Sequence, residues 1–540
     1  MKNTWMLLAV VCALVIGVYA YTAPLGKLES LSLNPADTDY NLLVQGFRDG
    51  HLNLKKEVPA GFARLADPYD PAANLPYRIF PYRMSDLSYY KGRLYFYFGV
   101  TPALILFWPY VALTGEYLFD RQAVTMFCAI GVLASVGLLR ALWRRYFSEV
   151  SVWVVSVCAL ALGLATAVPT LLPQSYVYQV AISCGYMLTM LALGAVWCAL
   201  HESEPRKRSG WLAAASVAYG LAVGARPSLL FGGVILLVPV VQAWRERRPI
   251  WAVLMAATIP IALIGLGLML YNRLRFDNPL EFGPRYQLAG ERQTTLQFFS
   301  WHYLWFNFRV YFLEPARWSA RFPFVHEITL PPLPAGHTNV QEPYGILTNI
   351  PLAWLALAVP LAWRGRPGQQ VSALRWFITA VALLFGMCVL VLAFYCGASI
   401  RYQVDFLPAL VLLAVVGILG LERVLADRPV WRRAARGGWG VLLGFSVAFN
   451  LLVSVVNYGH AACGLAGVLA FQGRVPEAIQ IFEKALRITP DDAEGHNNLG
   501  TALGQAGRIP EAIEHLQQAL RIKPDLPEAQ NALARLQARH

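Results

Sequence analysis

The chain has 540 residues, of which 57% are hydrophobic and 14% charged, with a mean hydropathy of +0.45. So few charges cannot clothe a soluble globule of this size, which excludes a water-soluble enzyme and points to an integral membrane protein. The formal charge of +13 does not point to nucleic acid, because Lys and Arg fall in short clusters between apolar runs rather than along one polar face.

The first apolar run, 5–21, follows a single Lys2 and reads as an uncleaved first span, since Ala20-Tyr21-Thr22 is a poor signal-cleavage site. About seventy polar and aromatic residues come next, with Asp37-Thr38-Asp39-Tyr40 near their start and Asp86-Leu87-Ser88-Tyr89-Tyr90-Lys91-Gly92 near their end. Asn34-Pro35-Ala36-Asp37, followed by Thr38-Asp39-Tyr40-Asn41-Leu42-Leu43-Val44, has the pattern of a capped amphipathic helix start. Asp67-Pro68-Tyr69-Asp70-Pro71 reads as loop. Lys91-Gly92 has hairpin-turn character, and the aromatic alternation over 94–98 predicts a short strand.

Run 99–114 either crosses the bilayer or lies along its outer surface. Runs of bilayer length follow near 122–142, 149–168, 177–200, 251–271, 346–363, 374–396, 404–424 and 438–457. Two shorter ones, 211–225 and 229–243, predict a helical hairpin that turns at Arg226-Pro227. Basic clusters occur at Arg144-Arg145, Arg206-Lys207-Arg208, Arg245 with Arg247-Arg248, Arg364 with Arg366, and Arg428 with Arg432-Arg433 and Arg436. All fall on the inner side only if 99–114 does not cross, which gives eleven spans, an inner amino terminus and an outer carboxyl terminus. The expected fold is an all-α polytopic bundle with outer loops over about 22–98 and 272–345. Aromatic segment 298–305 of the second loop is suited to the headgroup level. The eight cysteines lie almost entirely in apolar runs without close spacing and read as small buried hydrophobes rather than as metal or redox groups.

From Ala461 the composition becomes soluble and repeats with a period of 34: Pro476-Glu477-Ala478-Ile479 recurs as Pro510-Glu511-Ala512-Ile513, and Ala485-Leu486-Arg487-Ile488 as Ala519-Leu520-Arg521-Ile522. This resembles the tetratricopeptide repeat (TPR), two units and a closing helix near 525–538. The expected division is a membrane domain over 1–460 and a repeat domain over 461–540. Since about three such units are normally needed to stand alone, the array should dock on the membrane domain or on a protein partner.

Glycosyl transfer from a lipid-linked donor needs a base for the acceptor hydroxyl and cations for the leaving phosphate, both at the membrane surface. The acidic candidates are Asp37, Asp39 beside Tyr40, and Asp86 with Lys91 and Arg93 nearby. Three arginines stand at outer ends of spans: Arg226, Arg285 and Arg401, the last followed by Tyr402 and, one turn on, by Asp405. A guanidinium suits a phosphate diester.

One amino-terminal span, an acidic pair in the first outer loop, a partly embedded aromatic helix and a late Arg401-Tyr402 resemble the GT-C superfamily, especially its protein mannosyltransferase and aminoarabinose transferase branch. The likeness covers about 1–460 in layout, and the added repeats resemble the secretory-pathway mannosyltransferases that carry them in the lumen. It implies inverting transfer from a polyprenyl-phosphate sugar to a protein or glycan acceptor, with Asp39 or Asp37 as base, Asp86 in support and Arg401 on phosphate; some members of the superfamily use a divalent metal and this branch often does not, so the resemblance implies no metal or other cofactor. Asp-Thr-Asp stands where relatives have Asp-Glu, and Gly99-Val100-Thr101-Pro102 where many have His-Pro-Pro. A bacterial inner membrane with the repeats on the periplasmic side is the implied location. The alternatives are an O-antigen ligase or polymerase, for which His302, His326 and His337 are candidates, and a non-catalytic transporter or assembly scaffold that binds proteins through its repeats.

Overall fold

The computed structural model describes residues 2–23, 34–79, 81–174, 177–341 and 343–538. Among them, eight helices are long and apolar enough to cross a membrane: Asp120–Tyr146, Val152–Leu171, Val177–His201, Pro227–Arg245, Trp251–Phe276, Val371–Phe394, Leu407–Val424 and Pro429–Phe471. Shorter apolar helices run over Met6–Thr22, Ala103–Thr114 and Pro351–Ala362. The chain is a multi-pass membrane protein. All eleven expected spans are helical, but not all are full-length apolar helices. Pro205–Ala225 begins on Arg206-Lys207-Arg208 and is not apolar throughout. Expected span 346–363 divides at Ile350, which leaves helical geometry before Pro351 and starts a twelve-residue 3-10 helix.

The expected hairpin turn is present: Arg226 is extended, with φ −140° and ψ 97°, and Pro227 opens the returning helix. The basic clusters gather at one end. Tyr146 Oη meets His201 Nε2 at 2.8 Å, Arg423 donates to the Arg364 carbonyl at 2.6 Å, and Glu422 lies between Arg432 and Arg436 at 2.9 and 2.7 Å.

The opposite end carries the two large loops, which are tied to each other. Strands Leu87–Tyr90 and Arg93–Phe96 form the expected hairpin, whose turn residues Lys91 and Gly92 have φ of 48° and 79°. The second loop zips onto it. Asp86 N–H donates to the Leu288 carbonyl at 2.9 Å, Leu288 N–H to the Leu87 carbonyl at 2.8 Å, and Ser88 Oγ to the Gly283 carbonyl at 2.9 Å. Farther on, Asn339–Gln341 pairs in parallel with Gly397–Ser399, so the second loop also grips the segment leading to Arg401.

The first-loop helix begins one residue later than a cap at Asp37 would have it. Asn34 caps a short 3-10 turn over Pro35–Asp37, and Thr38 occupies the cap position of helix Asp39–Arg48. Tyr40, fully buried, stacks on Phe107 at 5.1 Å and meets Phe96 edge-on at 4.8 Å, which pins this helix to the Ala103–Thr114 helix. Gly99 must be glycine, because a Cβ there would stand 2.2 Å from the Gly224 carbonyl oxygen.

The change of composition at 460/461 leaves no break in the backbone: one 43-residue helix, Pro429–Phe471, runs from the membrane bundle into the repeats. Helices Val475–Ile488, Ala493–Gln505, Ile509–Ile522 and Pro527–Gln537 follow, with Ala466, Phe482, Leu499 and Ala512 in their shared core. Thr489 packs against Gly459, where a Cβ would lie 2.6 Å from its Cγ2.

Candidate active site

A cavity of about 460 Å³ opens where the two loops meet the outer helix ends, and Asp86, Tyr178, Gln287, Arg401 and Tyr402 line it. Asp86 has φ of 61°, a left-handed conformation that asparagine and aspartate tolerate better than most residues and that is often retained for a purpose. The hairpin holds it there. Gln287 Nε2 donates to Asp86 Oδ1 at 2.7 Å, and the Tyr178 hydroxyl, at the start of helix Val177–His201, donates to Oδ2.

Arg401 lies on the same lining. Its guanidinium is 4.3 Å from the Tyr178 ring centre and 5.6 Å from that of Tyr402. Asp405, one turn on in the sequence, does not pair with it. In the 3-10 turn Ile400–Asp405, Asp405 points instead to the returning helix, where it takes Arg226 at 2.7 Å and the Ser228 hydroxyl at 3.0 Å. Arg226 is therefore neutralised, with its guanidinium 5.3 Å from the Tyr402 ring. Among the described residues Arg401 has no carboxylate partner, and its buried Nε has no hydrogen-bond partner. A half-buried guanidinium in that condition is a ready site for a phosphate.

Asp39 does not line this cavity but belongs to the same electrostatic cluster. Burial raises its carboxyl above the usual range, the Asp86 charge raises it further, and Lys56 and Arg83 oppose them. Burial in turn lowers the Lys56 ammonium, against the pull of Asp39, while Lys56 Nζ donates to the Arg83 carbonyl at 2.9 Å. Asp37 is exposed, and Tyr40 faces the core. Lys91 and Arg93 are exposed at the hairpin tip, where Lys91 pairs with Asp277 at 2.6 Å, and Arg285 is exposed in the second loop. Among the described residues no group of three or more His, Cys, Asp or Glu is gathered closely enough to hold a metal ion.

The three loop histidines separate. His302 is exposed, His326 faces the repeats, and buried His337 bonds to Asn307 Oδ1 at 3.1 Å, its imidazole lowered by burial to about 4. Tyr178 and Gln287 were not singled out in the sequence. The available signals were a tyrosine among glutamines at the head of an apolar run, and a glutamine next to Arg285-Tyr286.

Beneath the polar cavity lies an apolar groove of about 390 Å³, bounded by Phe231, Phe299, Trp301, Leu390 and Phe394. Its upper residues Phe299 and Phe394 are chain neighbours of Phe298 and Tyr395, which line the polar cavity. Trp301 is 79% exposed and Phe299 58%, as befits side chains in contact with lipid.

Residues 458–525 match the tetratricopeptide repeat family. No curated protein matches the chain. Among solved structures it is similar to the oligosaccharyltransferase of Archaeoglobus fulgidus in its apo form, at 10% identity and a TM-score of 0.44; the alignment covers 84% of this chain and 56% of that one. The chain thus spans little more than half of that protein's length.

Proposed function

We propose that the protein is a membrane glycosyltransferase that moves a sugar from a polyprenyl-phosphate-linked donor to an acceptor hydroxyl at the outer face of a bacterial cytoplasmic membrane, with inversion. The observation that carries this reading is the shared lining of Asp86 and unpaired Arg401 in one polar cavity directly above an apolar groove. Such a site takes an amphiphile: isoprenoid chain in the groove, phosphate on Arg401, sugar in the cavity.

Asp86 accepts the acceptor hydroxyl's proton as its oxygen attacks the anomeric carbon. The bond from that carbon to the phosphate oxygen breaks, its electron pair leaves with the lipid phosphate, and Arg401 neutralises the charge that builds there. Tyr178 and Gln287 aim the Asp86 carboxylate. Asp39 works one step behind, through its charge on Asp86.

The reading is tested in membranes supplied with labelled polyprenyl-phosphate sugar and cell-envelope acceptors. Asp86→Asn should reduce transfer by about 10²–10⁴-fold, the usual worth of a general base, at unchanged expression. Arg401→Ala should weaken donor use. Wild-type rates in both would sink the assignment.

A further inference from the structure

The second loop carries a short hairpin. Strands Arg317–Trp318 and Val325–His326 pair antiparallel, Trp318 opposite Val325 and Arg317 opposite His326. The stretch 317–326 reads Arg-Trp-Ser-Ala-Arg-Phe-Pro-Phe-Val-His, with two arginines, three large apolar rings and no acidic residue. Its tip is closed by its own bonds: Ser319 N–H donates to the Phe324 carbonyl at 2.9 Å, Phe324 N–H to the Arg321 carbonyl at 2.7 Å, and Ser319 Oγ lies 2.7 Å from His326 Nε2. Phe324 takes φ of 70°, a left-handed conformation rare for a bulky side chain. Trp318, Phe322 and Phe324 are 49%, 49% and 41% exposed, and Arg321 is exposed among them.

Helix Pro429–Phe471 fixes the level at which this hairpin stands. The Trp318 ring centre is 5.6 Å from that of Phe445 and 6.3 Å from that of Phe449. Farther along the helix, Ser454 Oγ donates to the Pro169 carbonyl at 2.8 Å and Asn457 Nδ2 to the Thr170 carbonyl at 3.2 Å, at the loop-side end of span Val152–Leu171. At about 1.5 Å per residue, Phe449 and Phe445 lie about 12 and 18 Å beneath Asn457, which is hydrocarbon depth in a bilayer whose apolar layer measures about 30 Å. Phe445 and Val441, one turn apart, are both exposed, so this face of the helix meets acyl chains and Trp318 continues it. A half-exposed indole at this depth has lipid for its solvent, and an arginine without acidic residues beside it suits the phosphates at headgroup level.

We propose that hairpin 317–326 is an anchor inserted into the bilayer leaflet on the side of the two loops, with Trp318, Phe322 and Phe324 among the acyl chains and Arg321 on lipid phosphate. Successive side chains of a strand alternate, so Arg317 and His326 face away from Trp318 and Val325. There His326 Nδ1 approaches Asp491 Oδ2 at 3.4 Å, in the turn between helices Val475–Ile488 and Ala493–Gln505. Pro323 and His326 also line a cavity of about 700 Å³ between the repeats and the bundle. The anchor thus links lipid to the repeats and holds them over the opening of that cavity. It does not depend on the transferase reading.

The test uses the full-length protein in nanodiscs of phosphatidylcholine and phosphatidylglycerol, with Phe322→benzoylphenylalanine as a photocrosslinker and the products read by mass spectrometry. Phospholipid adducts are expected at 322, and none with the same replacement at Thr501, an exposed position in the repeats. Adducts to a second copy of the chain in place of lipid, or no lipid adduct at 322, would overturn the anchor. Hydrogen exchange reads the hold on the repeats. Phe322→Ser/Phe324→Ser should lower protection over 489–497 and leave that of helix Leu407–Val424 unchanged. Lipid adducts at 322 together with undiminished protection in the double variant would overturn the link to the repeats.

Discussion

The Tyr178 hydroxyl donates to the Asp86 carboxylate while the face of the same ring carries the Arg401 guanidinium, 4.3 Å from its centre. One side chain therefore spaces the acid from the cation. Tyr178→Phe keeps the platform and removes a hydrogen bond to a charged group, worth about 1.5–3 kcal/mol, so turnover should fall roughly ten- to a hundredfold while the KM for donor holds. Tyr178→Ala also unseats Arg401 and should raise that KM. Steady-state kinetics with a labelled donor separate the two variants; identical KM values would show that the ring does not position Arg401.

The Asp39–Asp86 cluster makes a prediction about pH. Burial and the Asp86 charge hold the Asp39 carboxyl up, and Lys56 holds it down. Lys56→Met removes the cation, so the cluster keeps its proton to higher pH and the acid limb of the kcat/KM profile should move upward. Asp39→Asn removes a negative charge and should move that limb to lower pH. Shifts of the same sign in both variants would place Asp39 outside the working cluster.

Arg226 and Asp405 form an ion pair with side chains 16% and 4% exposed. Asp405→Ala leaves a buried guanidinium unpaired and should cost about 3–5 kcal/mol. Arg226→Met/Asp405→Leu removes both charges and should recover most of that loss. Thermal unfolding in detergent reads the difference, and a double variant no more stable than Asp405→Ala would give Arg226 a task beyond this pair.

Within the repeats, His496 Nδ1 and His515 Nδ1 lie 2.9 Å apart. His496 Nε2 is 3.1 Å from the Pro490 carbonyl and must donate to it, which leaves His496 Nδ1 as acceptor and requires His515 Nδ1 to carry the proton. Burial lowers both imidazoles, and the proximity of His496 lowers His515 further. The unfolded segment therefore takes up protons first as pH falls below about 6.5, so stability present above that pH drains away beneath it. Hydrogen exchange over 493–522 in the full-length protein, read as protection relative to the intrinsic rate at each pH, should show protection falling between pH 7 and pH 5, and His515→Gln should flatten the trend. A flat profile in the unsubstituted protein would refute it.

Features set by local pattern were legible in the amino-acid order: the 34-residue period, the apolar runs, the Lys91-Gly92 turn and the chain reversal at Arg226-Pro227. The partnerships were not. Asp405 stands one helical turn from Arg401, yet it bonds to Arg226, 179 positions away, because the 3-10 turn over Ile400–Asp405 directs it toward the returning helix. Gln287 and Asp86 are 201 positions apart and meet only because the second loop adds backbone bonds to the first hairpin. Tyr40, beside the acidic pair in sequence, faces the opposite way because helical geometry turns successive side chains by about 100°.

The unbroken helix Pro429–Phe471 has a mechanical consequence. Its 43 residues extend about 65 Å, twice the thickness of a bilayer's hydrocarbon layer, so its distal part works as a rigid mast rather than a tether. The azimuth of everything mounted on it is fixed by helical phase. One residue inserted near the membrane surface would swing the superstructure by about 100° and carry it off the opening, whereas seven would bring it round to within about 20° of its bearing, lifted by about 10 Å. In this architecture, residue count along one helix is an angular coordinate.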